Sequence, residues 1–201
     1  MKRILLPAGA AGRRRGFRGN RGDRVRDGRA WRILTLGIIP IFLAGCALHF
    51  AYAWSGEWLP AALVAAVNES VWEHLKIAFW PAFLHGLLER RLLRRHYPGF
   101  WLARAIGLLV TPLVIAGLFY GYTTLLGTHL LTVDIGIFLF GIAAGQWSCY
   151  RMLALHPGSA GRLAGRLLTG ALLAAFACFT YLPPDLPPFR DASTGVLGIP
   201  E

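Results

Sequence analysis

Five apolar runs of 19 to 25 residues, joined by short connections, leave this chain few architectures. They cover about residues 33–54, 70–88, 101–125, 130–152 and 163–182. At about 1.5 Å of rise per residue, each is long enough to cross the roughly 30 Å of bilayer hydrocarbon as a helix. The expected fold is therefore all-α, a polytopic membrane helix bundle with about five transmembrane helices over residues 33–182. A basic leader, 1–32, precedes it, and a proline-rich tail, 183–201, follows. The stretch Leu59–Val67 is apolar but too short to cross, and reads as an interfacial or re-entrant piece. Composition agrees: 55% of residues are hydrophobic and 15% charged, against about 25% charged in soluble domains. The pattern argues against a soluble globular enzyme and against a disordered chain.

The net charge of +11 invites a nucleic-acid reading, but the placement of the charges rejects it. Eleven of the 21 Lys and Arg lie in the leader, where six glycines and two acids leave nothing to build a core, so disorder is expected there. Arg90, Arg91, Arg94, Arg95 and Arg104 cluster between the second and third runs, and Arg151, Arg162 and Arg166 between the fourth and fifth. The loops after the first and third runs carry no Lys or Arg. Nineteen basic residues thus fall on one side, and the positive-inside rule places the N-terminus in the cytoplasm and the tail outside. The partners this implies are the bilayer itself and anionic lipids at the cytoplasmic face, with no nucleic acid.

Two local signals compete in the first run. Leu43-Ala44-Gly45-Cys46 matches a lipobox, at which bacterial lipoproteins are cleaved and acylated, yet the apolar run continues past Cys46 as a permanent span does. Cys46, Cys149 and Cys178 have no zinc or disulfide spacing and read as small buried hydrophobes. Pro40, Pro81 and Pro112 fall inside spans, where neighbouring helices satisfy the freed carbonyls. The Gly- and Ala-rich fourth and fifth spans read as close-packing faces.

Ionisable groups cost about 2.5–3.5 kcal/mol each in a membrane, so their positions carry information. The densest set is Asn68-Glu69-Ser70-Val71-Trp72-Glu73-His74-Leu75-Lys76. Ser70 and Glu73 have capping-box spacing, which also explains acids at a helix start. Glu73 and Lys76 are spaced to pair across one helical turn. His49 and Asp134 fall at similar depth, so a pocket of His49, Asn68, Glu69, Glu73, His74, Lys76 and Asp134 is expected at the outer face. Three uses stand open: a polar network that only fixes packing; a site for a lipid headgroup or small ligand, with Lys76 holding an anion; and a metal-dependent hydrolase using Glu73 and His74. The spacing matches no dedicated metal or cofactor motif, and no cofactor is specified. His85 and His96 read as interfacial, and Gln146 as an interhelical hydrogen-bonder. The tail, with four prolines between Pro183 and Pro188, is stiff enough to fold back over the outer mouth of the bundle, against a disordered alternative.

The Asn68–Lys76 run with Phe79 and Pro81, the end of the first span from His49 to Gly56, and the Pro183…Arg190-Asp191…Gly198-Ile199 tail resemble an uncharacterised family of small bacterial multi-pass membrane proteins. The resemblance covers residues 33–201 and leaves the leader outside. It implies a helical bundle in a bacterial cytoplasmic membrane and marks the outer-face motif as important, but carries no activity.

Overall fold

A computed structural model describes residues 28–93 and 97–199. Most of the leader, together with Arg94, Arg95 and His96, lies outside the described residues. Among the described residues, five α-helices make up the fold: α1 (Gly28–Trp54), α2 (Val71–Leu93), α3 (Phe100–Leu126), α4 (Leu131–Leu153) and α5 (Ser159–Tyr181). Short 3₁₀ turns occupy Leu59–Leu63 and Pro187–Phe189, and the tail closes with an isolated antiparallel bridge between Arg190 and Leu197. Four helices, α1, α3, α4 and α5, are long and apolar enough to cross a membrane. Leu36, Leu43, Leu113, Leu125, Leu131 and Leu167 stand exposed along them, an outward apolar surface that water would not tolerate on this scale but lipid does. The fold is an all-α membrane helix bundle.

The fifth helix, α2, is the most polar and among the most deeply packed. It carries five charged residues, yet buries Glu73, Lys76 and Glu89 along with Leu75, Ile77, Ala78, Phe79 and Ala82. Around it the main core joins Ile41, Phe79, Leu108, Ile115, Ile142 and Phe176, with Phe79 and Phe176 stacked 4.3 Å apart. A second cluster at the other end gathers Ala30, Leu34, Leu93, Phe100, Cys149 and Leu153. Close approach is made possible by missing side chains. A Cβ on Gly145 would lie 2.0 Å from Thr111 Oγ1, and one on Gly141 would lie 2.4 Å from Ile115 Cγ1, so α3 and α4 touch where only glycine fits. Pro40, Pro81 and Pro112 all sit inside helices.

Three boundaries differ from the sequence reading by four or five residues: the starts of α1 and α5, the latter at Ser159 rather than 163, and the end of α2. Helix α1 starts at Gly28, so residues 28–32 of the expected leader are helical. Ala30 is buried there and Trp31 packs edge-on against Trp147 and Tyr150, contacts with α4 that hydropathy cannot register. Helix α2 runs on to Leu93, five residues beyond the expected end at Leu88, because Glu89 finds buried partners.

Candidate functional site

Helix α1 ends in a turn through Gly56 and Glu57, both in the left-handed region at φ 68° and 61°. Such a value is rare for a residue with a side chain. The chain then passes through the 3₁₀ turn to the loop before α2. There Ser70 Oγ accepts the Glu73 N–H at 3.3 Å, as the capping box requires. The reciprocal half is redirected: Asn68 Oδ1 caps the Ser70 N–H at 2.9 Å, and Glu73 Oε2 accepts from the Val67 N–H at 3.0 Å.

Freed from Ser70, Glu73 meets Lys76 one turn on, with Oε2 and Nζ 2.5 Å apart, both side chains almost fully buried. The Lys76 ammonium also donates to the Ala62 carbonyl at 2.7 Å and to Thr180 Oγ1 of α5 at 3.4 Å. The expected i,i+3 pair is present, and it is internally satisfied. An anion therefore finds no free cation at Lys76.

His74 follows Glu73 by one residue, about 100° around the helix, and so faces elsewhere. Its Nε2 lies 3.5 Å from Glu69 Oε2, while His49 Nε2 of α1 lies 3.6 Å from Glu69 Oε1. The two rings sit 5.2 Å apart. A cavity of about 300 Å³ opens beside them, lined by His49, Phe50, Tyr52, Ala53, Glu57, Ala66, Val67, Asn68 and Glu69.

The single expected pocket thus resolves into separate clusters. His49, Glu69 and His74 converge, with Asn68 in the cavity wall; Glu73 and Lys76 form a closed pair facing α5. Asp134 joins neither: its Oδ1 accepts a hydrogen bond from Tyr122 and its Oδ2 lies 3.2 Å from His129 Nδ1, so it pins the turn between α3 and α4. Sequence depth alone placed Asp134 with the others, but helix rotation points it at its own loop.

The tail is folded back over this end. Phe189 is buried and packs 4.6 Å from Trp72, which stacks in turn on Phe176. The Asn68 amide donates to the Gly198 carbonyl at 2.7 Å. Asp191 Oδ2 accepts the Glu69 N–H at 2.8 Å, and its Oδ1 accepts from Ser193 and Thr194. Burial by itself would raise the Asp191 pKa, but these donors outweigh it and hold the carboxyl well below the usual carboxylate range. Asp191, missed as a functional position, fixes the backbone of Glu69 from 122 residues away.

A second polar network went unread at the opposite end. Arg104, counted in the sequence as a loop cation, is buried and ion-paired with Glu89. Gln146 donates to Glu89 Oε1 at 2.7 Å and to the Leu34 carbonyl at 3.0 Å, and accepts from Arg104 at 2.8 Å. His85, read as interfacial, reaches the same Glu89 oxygen at 2.9 Å. Gly86 makes room for the Arg104 guanidinium, and Gly37 for His85 and Gln146. The available signal is Glu89 itself, a lone acid immediately before the basic stretch 90–95. The interhelical role expected of Gln146 holds.

A helical membrane bundle with a small polar cavity at the tail-bearing end is the class these features define. Residues 23–199 match the model of a family of unknown function, DUF6512, and the chain belongs to it. The match reaches ten residues further towards the N-terminus than the resemblance carried by the motifs. No curated protein and no solved structure matches the chain.

Proposed function

We propose that this protein is a cation-binding membrane protein whose site is the cavity between the end of α1 and the loop before α2. The observation that carries this reading is the charge of the lining: Glu57 and Glu69 border the cavity, and among the described residues no Lys or Arg does. Lys76, the residue suited to an anionic headgroup, is held by Glu73, Ala62 and Thr180 instead. Phe50 and Tyr52 add aromatic walls, which favour cations further. With Glu73 committed to Lys76 and the Val67 N–H, a hydrolase built on Glu73 and His74 has no support in this geometry.

The orientation belongs to the same proposal. Arg90, Arg91, Arg151, Arg162 and Arg166 gather at the end opposite the tail, so that end faces a bacterial cytoplasm and its anionic lipids, and the cavity opens outside.

Binding to the folded state raises thermal stability, by about 2.7 kcal/mol at a hundredfold excess over Kd. Unfolding of the detergent-purified protein is therefore followed with magnesium, zinc and ethanolamine as cations, and with inorganic phosphate and phosphatidylglycerol as anions. Stabilisation by at least one cation, reduced in E57Q and E69Q, is expected. Stabilisation by the anions alone overturns the reading.

A further inference from the structure

We infer that the cation is a divalent transition metal ion, held by His49 Nε2, His74 Nε2 and a carboxylate oxygen of Glu69 at the mouth of the cavity. The inference rests on the cation reading and names its ligand. The three donors come from three places in the chain, α1, the loop and the first turn of α2, and all lie within 4.8 Å of one another.

The distances suit a metal site better than a hydrogen-bonded cluster. Gaps of 3.6 and 3.5 Å between imidazole nitrogen and carboxylate oxygen are longer than hydrogen bonds. They end on different oxygens of Glu69, Oε1 towards His49 and Oε2 towards His74, and each is close to the ligand–ligand separation of about 3.4 Å that zinc bonds of about 2.1 Å give. Ring chemistry points the same way. His74 Nδ1 lies 2.8 Å from the Ser70 carbonyl, which only accepts, so Nδ1 carries the proton. In the neutral ring Nε2 then presents a lone pair to a carboxylate, a repulsive arrangement that a cation between them reverses. A carbonyl behind a histidine is also the usual support of a metal-ligating imidazole.

Glu69 is delivered on a fixed backbone, because its own N–H is held by Asp191 and its neighbour Asn68 by Gly198. Two imidazoles and one carboxylate favour zinc, cobalt, nickel or iron over magnesium and calcium, which prefer oxygen ligands throughout. Three protein ligands leave a coordination position open, and the cavity lies beside it. Glu57 and Tyr52 line that space, placed to contact whatever enters it.

The test is titration of EDTA-stripped, detergent-purified protein with zinc and cobalt, reading stoichiometry, affinity and the visible cobalt spectrum. One equivalent is expected, in the micromolar range or tighter, with magnesium unable to compete. Each of H49A, E69Q and H74A is expected to weaken binding at least tenfold while unfolding at the wild-type temperature in EDTA. H129A and D134N, which alter the separate His129–Asp134 pair at the turn between α3 and α4, are expected to bind as wild type. Absence of stoichiometric zinc or cobalt, or undiminished binding in all three ligand variants, overturns the metal assignment. Stabilisation by ethanolamine or magnesium without zinc binding defeats this inference alone; stabilisation by phosphate or phosphatidylglycerol alone defeats the cation reading beneath it.

Discussion

Replacing Lys76 by Met tests how far the buried pair at the start of α2 carries the fold. The Lys76 side chain is 0% exposed and that of Glu73 5%, with 2.5 Å between their charged atoms. Met keeps most of the aliphatic stem and removes the ammonium. Glu73 is then left buried with the Val67 N–H for its Oε2, and the Ala62 carbonyl loses its donor. Breaking a buried pair from one side costs about 3–5 kcal/mol, because the remaining charge is uncompensated. For a chain of this length that corresponds to a fall in Tm of roughly 6–20 °C. The double variant E73Q/K76M removes both charges while leaving an acceptor for Val67, and is expected to recover at least half of the loss. Thermal unfolding in detergent, followed by far-ultraviolet circular dichroism, measures both. A K76M protein within about 1 kcal/mol of wild type, or a double variant no better than the single, refutes the reasoning.

The glycine contacts make a paired prediction: G145V drives a side chain into Thr111 and the Gly107 carbonyl and destabilises by about 1–3 kcal/mol, whereas G170A, with nothing within 4 Å, stays within about 1 kcal/mol in the same melt. In D191A the Glu69 and Thr194 amides lose a charged acceptor worth about 1.5–3 kcal/mol, so hydrogen exchange at those amides accelerates roughly ten- to hundredfold while the core of α3 is unchanged. E89A removes the shared partner of Arg104, Gln146 and His85 and lowers Tm far more than R90A, at an exposed position one residue on. For orientation, a cysteine at position 185 reacts with an impermeant thiol reagent added to intact cells; protection there, with labelling only after lysis, reverses the assignment of the two faces.

Legibility differed between elements for identifiable reasons. The ends of α3 and α4 fall within one residue of the apolar runs, since hydrophobicity and length are local properties. The i,i+3 pairing of Glu73 with Lys76 was equally legible, because helical spacing alone dictates it. Asp134 and Arg104 were misjudged because depth along a helix says nothing about the direction in which its side chains point. The docking of the tail is expected only from the stiffness of its prolines, and Asp191, part of the tail motif, gives no sign in the sequence that its partner is the Glu69 N–H.

By itself, then, the sequence determined that this chain forms a bundle of long apolar helices and which end of that bundle gathers the positive charge. Both follow from free energies of transfer summed along a segment, and such sums do not depend on partners. Only the tertiary structure decided that Glu69 rather than Glu73 meets the two histidines, and that Lys76 is spent internally. It alone showed Asp191 holding the Glu69 backbone. These outcomes depend on how each helix is rotated against its neighbours, and that rotation is fixed by contacts between residues far apart in the chain. Glu69, Glu73, His74 and Lys76 share one stretch of sequence, and packing divides them between a closed ion pair and an open cluster with His49.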